Sequence, residues 1–146
     1  RNLHAMTQEN RNRMKRTVNT AAAMLICLAS AVCLTAATQH KGAISKKNGT
    51  TVVNTTSIAA KVRGYGGTTP LKIHISKNKI TRIETLPNNE SPGIFSKAKR
   101  LLSAYIGKDP ETAAKMKVDA VSGATYSSEA LIGNMRKGLE YYNSRK

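Results

Sequence analysis

Leu71-Lys72-Ile73-His74-Ile75-Ser76 alternates apolar and polar side chains without a break, the period-two pattern of a strand buried on one face. With Pro70 in front, it reads as a strand over 70–76. Ile80 to Leu86 reads as a second strand, and Lys77-Asn78-Lys79 suits a hairpin connection between the two. Ile58 to Val62 reads as a third strand ahead of this pair. Between them lies Arg63-Gly64-Tyr65-Gly66-Gly67, whose paired glycines permit a tight connection.

Helical signals follow the strands. Pro92 suits a first helical turn, and Ile94, Ala98, Leu101, Leu102 and Tyr105 give an apolar face to a helix from Ile94 to Ile106, ended by Gly107. A short helical piece lies near Pro110 to Lys115. Val118 to Val121 reads as a short strand. A closing helix spans Ser127 to Asn143, with Leu131, Met135, Leu139 and Tyr142 recurring on one face. Strands first and helices afterwards predict an α+β fold, a small and largely antiparallel sheet packed with two or three helices.

Three motifs carry more than fold. Asp119-Ala120-Val121-Ser122-Gly123-Ala124-Thr125 opens straight into the closing helix, where Ser127 and Ser128 are cap candidates and Glu129 is an acid for the first turn. Upstream stand Gly64-Tyr65-Gly66-Gly67 and Asn89-Glu90-Ser91-Pro92-Gly93. Each alone fits ordinary turn chemistry as well as a site. Together, in this order and from about Lys61 to Tyr142, they resemble the FMN-binding domain family. Its members include the covalent-FMN domains of the C subunit of the sodium-pumping NADH:quinone reductase and of the G subunit of the Rnf complex. Ser122-Gly123-Ala124-Thr125 is similar to that family's attachment motif. Asn89-Glu90-Ser91-Pro92-Gly93 is close to its Glu-Thr-Pro-Gly, with serine in place of threonine.

The resemblance implies FMN esterified to Thr125 by a dedicated flavin transferase. It places Ser122, Gly123 and Ala124 at the phosphate and Tyr65, Gly66 and Gly67 along the flavin. Glu90 and Ser91 contribute hydrogen bonds, and Asp119 belongs to what the transferase recognises. Asp119 fits equally as a partner for nearby turn amides. Tyr126 fits stacking on the ring, core or surface. The chemistry suits the motif: a threonine hydroxyl offers an oxygen acceptor, and a helix N-terminus offers free amides to the remaining phosphate charge. Gly123 lets the backbone approach or adopt positive φ.

The chain has 146 residues, 24 Lys+Arg against 8 Asp+Glu. After the first 38 residues, 19 basic and 7 acidic groups remain, so the folded portion is itself basic. Such a surplus raises nucleic acid as a partner. With one Phe, no Trp and no aromatic-basic interleaving, a base-stacking platform is lacking. Anionic headgroups or an acidic redox partner account for the charge as well. Two rival classes therefore stand beside the carrier: a basic nucleic-acid-binding module, and a non-redox binding domain of the same fold.

From Thr17 to His40 no residue is formally charged, and Arg11, Arg13, Lys15 and Arg16 precede this stretch. Ala21 to Ala37 spans roughly 26 Å as a helix, just short of a hydrocarbon core of roughly 30 Å. The reading is a signal peptide or membrane anchor over 1–38, then a polar linker over 39–57 and the FMN-binding domain over 58–146. Residues after about Thr38 then lie outside the cytoplasm, in the periplasm or on the outer face of the cytoplasmic membrane. Met6 and Met14 are candidate starts. Cys27 and Cys33 both fall in the apolar segment and form no disulfide framework or metal set.

The expected function is electron transfer with membrane redox donors or acceptors, by a carrier and not a stand-alone catalyst. Hydrolytic chemistry has no constellation to support it. His4 and His40 lie outside the expected fold, and His74 sits at an alternating strand position.

Overall fold

The computed structural model describes residues 42–146. The apolar segment, its basic flank, Cys27, Cys33 and the candidate starts lie outside the described residues. Among those described, β1 (Ile44–Lys47), β2 (Thr50–Asn54), β3 (Leu71–Ser76) and β4 (Lys79–Thr85) form one antiparallel sheet in the order β1-β2-β3-β4. The helices are α1 (Thr55–Ile58), α2 (Pro92–Ala98), α3 (Pro110–Lys115) and α4 (Thr125–Asn143), with a 3-10 helix over Lys99–Tyr105 continuing α2. The α+β expectation holds, and none of the described helices is long and apolar enough to cross a membrane.

The alternation in β3 does what its period requires. Leu71, Ile73 and Ile75 are buried, while Lys72, His74 and Ser76 are half-exposed on the other face. Lys77 and Asn78 both take left-handed φ, at 49° and 58°, the two-residue turn whose twist matches a hairpin. Against the buried face packs α4, through Leu131, Met135 and Leu139. Two glycines bring it close. A methyl group on Gly138 would lie 2.8 Å from Ile73 Cδ1, and one on Gly133 would lie 2.9 Å from Val62 Cγ1.

Several expectations need correction. Most of the stretch read as a polar linker is the β1–β2 hairpin, and α1 follows it. Thr and Val favour strand, and Asn48-Gly49 at φ 50° and 74° makes the same tight turn as the second hairpin. Pairing with β3 sets Val53 opposite Ile73 in the core. Ile58 to Val62 is not a strand. Asn54 caps α1 by accepting the Thr56 amide at 3.0 Å, which turns the chain into one helical turn ending at Ile58.

Val118 to Val121 is also no strand. The Val121 amide bonds to Ser128 Oγ at 3.0 Å, so it has no ladder to join. The helix expected over Ile94 to Ile106 begins at Pro92 and tightens to 3-10 geometry from Lys99. Across the two segments, Phe95, Ala98, Leu101, Leu102 and Tyr105 are buried, the three- and four-residue spacing of one helical face. Ile94, expected on that buried face, is instead 42% exposed.

A buried polar network fixes α4 to the start of β3. Thr55 Oγ1 donates to Asn134 Oδ1 at 2.7 Å and accepts the Leu71 amide at 2.8 Å. Asn134 Nδ2 donates to the Ala130 carbonyl at 2.9 Å and to Thr69 Oγ1 at 3.3 Å. Asn134→Ala leaves the buried Thr55 hydroxyl without an acceptor, and a loss of about 1–3 kcal/mol in urea unfolding is expected.

Helix α3 is capped by Asp109, whose carboxylate accepts the Thr112 amide at 2.9 Å. That hydrogen bond from the Thr112 backbone, helped by its side chain, holds the Asp109 carboxyl below its ordinary range. A depressed folded-state value means stability that is present above the unfolded pKa of about 3.9 and lost as pH falls through the folded value. Asp109→Asn keeps an acceptor and does not titrate. Its urea midpoint is therefore expected to depend less on pH through the acid range than that of the parent.

Candidate functional site

Gly64 to Gly67 form a closed turn, with the Gly64 amide donating to the Gly67 carbonyl at 2.7 Å and Arg63 bridged to Thr68. Tyr65 stands at its tip, 79% exposed. The turn connects β3 to the residues after α1, not two strands. The Asn89-Glu90 segment lies directly against it. A methyl group on Gly64 would come within 2.6 Å of Glu90 Oε1, and one on Gly66 would overlap the Asn89 carbonyl oxygen. Glycine is required here by close approach.

Glu90 is buried and has both carboxylate oxygens engaged. Oε1 accepts the Gly66 amide at 2.7 Å, and Oε2 accepts the hydroxyl of Ser127 in the first turn of α4. The carboxylate thus joins the glycine turn to the start of the last helix. Glu90 faces the protein and meets the site through Ser127. Ser91 occupies the N-cap position of α2, its carbonyl accepting the Phe95 amide at 2.8 Å, and its exposed hydroxyl makes no capping bond.

The start of α4 is open. Ser122 and Gly123 form a turn in which Gly123 takes φ 75°, and the Ala124 amide bonds to the Val121 carbonyl at 2.9 Å. The helix begins at Thr125, two residues earlier than the sequence reading, with Ala124 in the cap position and no side chain capping it. The Ser128 amide makes the first helical bond, to the Ala124 carbonyl at 2.9 Å. The amides of Thr125, Tyr126 and Ser127 precede that ladder and are the orphan donors of a helix N-terminus. Ser127 and Ser128, expected as caps, are instead buried inside the first turn, bonded to Glu90 and Val121. Glu129 falls in the second turn, so the first turn of the helix carries no acidic residue of its own.

A cavity of about 250 Å³ opens here, lined by Tyr65, Ile94, Gly123, Ala124, Thr125, Tyr126 and Ser127. Tyr65, Ile94 and Tyr126 are three of the four large hydrophobic side chains exposed among the described residues. Their convergence on one cavity marks a binding surface. Thr125 is exposed, and its hydroxyl bonds to no described residue. Of the residues expected at the site, Tyr65, Gly123, Ala124 and Thr125 meet in the cavity. Gly66 and Glu90 stand one bond behind it, Gly67 closes the turn, and Ser122 and Ser91 face solvent outside the lining. Asp119 is exposed and bonds to no turn amide; Ser128 takes the nearby one. The sequence reading missed Ile94 and Ser127 as wall residues, having placed one on a core face and the other at a cap.

These features define an α+β domain that presents free helix-terminal amides beside exposed aromatic rings. A family model described as FMN-binding domain matches residues 64–140, more than half of the chain, and the protein belongs to that family. No curated protein and no solved structure gives a significant match. The family's cofactor fits what is present. The uncapped start of α4 can accept a phosphate, and Tyr65, Tyr126 and Ile94 offer apolar area to a planar ring.

Proposed function

We propose that the protein is an extracytoplasmic electron-transfer flavoprotein whose FMN is joined to Thr125 by a phosphoester bond. In this reading it is a subunit of, or partner to, a membrane redox complex like those containing the sodium-pumping NADH:quinone reductase or the Rnf proteins. The observation that carries the reading is the unengaged Thr125 hydroxyl in the aromatic cavity, at the uncapped N-terminus of α4. The basic flank and apolar segment before residue 39 support export.

In the attachment, Thr125 Oγ1 bonds to the flavin-side phosphorus of FAD as the pyrophosphate bond to AMP breaks. AMP leaves with the electron pair, and the hydroxyl proton passes to solvent. A flavin transferase carries out this step, with Asp119 exposed just ahead of the acceptor as part of the surface it reads. The bound flavin supplies one- and two-electron transfer. The amides of Thr125 to Ser127 and the dipole of α4 stabilise the remaining phosphate charge. Tyr65 and Tyr126 hold the ring by contact area, and Glu90 fixes the turn that carries Tyr65.

The test is coexpression of the full chain with a flavin transferase. A fluorescent band that survives denaturing electrophoresis, and a mass gain of one FMN group, are expected. A colourless product of unmodified mass removes the covalent reading.

A further inference from the structure

A second cavity, of about 320 Å³, lies between the end of the 3-10 helix, the C-terminal end of α3 and the middle of α4. Its apolar wall includes Met116 and Ile132, and its polar groups are Tyr105, Lys115, Lys117 and Arg136. No carboxylate lines it. The three cations make no ion pair with any described residue. Tyr105 is 1% exposed, it lines the cavity, and its hydroxyl bonds to no described residue.

We infer that this cavity binds a phosphate monoester bearing an apolar substituent. Three cations without a countercharge suit a group carrying about −1.5 to −2 better than a single carboxylate. Arg136 can pair with two phosphate oxygens in parallel, the lysines supply point charge, and Tyr105 donates a hydroxyl hydrogen bond. Met116 and Ile132 offer the substituent an apolar surface. Burial raises the Tyr105 hydroxyl above its ordinary range while the Arg136 charge pulls it down, which places the guanidinium within electrostatic reach of that hydroxyl. Arg136 lies eleven residues beyond Thr125, about 16 Å along α4, so this cavity is separate from the aromatic one.

The source can be a soluble ester or the headgroup of phosphatidic acid, and one experiment separates them. The full chain in phosphatidylcholine nanodiscs is titrated calorimetrically with phenyl phosphate and with inorganic phosphate. A saturable component is expected at this cavity, with phenyl phosphate roughly tenfold the tighter because only it reaches the apolar wall. Arg136→Ala should weaken it by at least about tenfold and Tyr105→Phe by about three- to tenfold. Nanodiscs containing phosphatidic acid abolish the phenyl phosphate signal if the lipid is the occupant and leave it intact if the ester is soluble. The inference is overturned if neither probe saturates, or if Arg136→Ala and Tyr105→Phe both bind like the parent.

Discussion

Thr125→Ala is expected to yield a folded protein with no covalently held flavin. Three neighbouring hydroxyls make this a sharp expectation. Ser127 donates to Glu90, Ser128 accepts from the Val121 amide, and both are buried, so neither can replace the lost acceptor. Ser122 is exposed but does not line the aromatic cavity, and Ser122→Ala should retain the label. Thr125→Ser keeps an oxygen at the same place with a freer χ1, so a reduced yield is expected there and not a loss. The Thr125 side chain is exposed, and its truncation should change unfolding free energy by less than about 0.5 kcal/mol. In-gel fluorescence and intact mass read the label, and urea unfolding reads the fold. A fluorescent Thr125→Ala band would move the acceptor elsewhere.

Changes at the glycine turn should do the reverse, sparing the label and altering everything around it. Glu90→Ala leaves the Gly66 amide and the Ser127 hydroxyl without their shared partner, at a cost on the order of 3 kcal/mol in urea unfolding. Glu90→Gln restores an acceptor for the Gly66 amide and offers a donor to Ser127, so most of that loss should return. Gly66→Ala forces a methyl group into the Asn89 carbonyl, a backbone clash no rotamer relieves, and should cost at least about 1–3 kcal/mol. In both destabilised variants the turn that carries Tyr65 is released. A flavin on Thr125 should then show a shifted visible circular dichroism spectrum and brighter native fluorescence. An unchanged flavin spectrum in Glu90→Ala would show that the turn does not set the ring's surroundings.

Much of this architecture was legible where order is local. The alternation through Leu71 to Ser76 placed a strand and its buried face, and Leu131, Met135 and Leu139 placed the core side of α4. The β1–β2 hairpin was missed although Asn48-Gly49 is a strong local turn signal, because the surrounding Lys, Thr, Ser and Asn resemble a linker in composition. Its strands become strands through β3, and that pairing is not written locally. Ile94 was misplaced because an apolar residue beside a helix start looks like core, whereas the buried face of α2 runs through Phe95 and Ala98.

The candidate site divides along the same line. Thr125 and the small residues before it form one contiguous motif, readable as such. The carboxylate joining Gly66 to Ser127 spans 24 positions on one side and 37 on the other. No window of sequence contains that relation, and resemblance alone had pointed Glu90 at the flavin.

The absence of side chains at Gly133 and Gly138 has a mechanical result. With Val62 seated over one gap and Ile73 with Thr55 over the other, α4 cannot slip by one residue along the sheet without driving a bulky group into them. The threonine at its head is consequently held at a fixed height above the strands. A prosthetic group fastened there would wander only through rotation of its own linkage, and its distance to an electron partner would be set by how the two proteins dock.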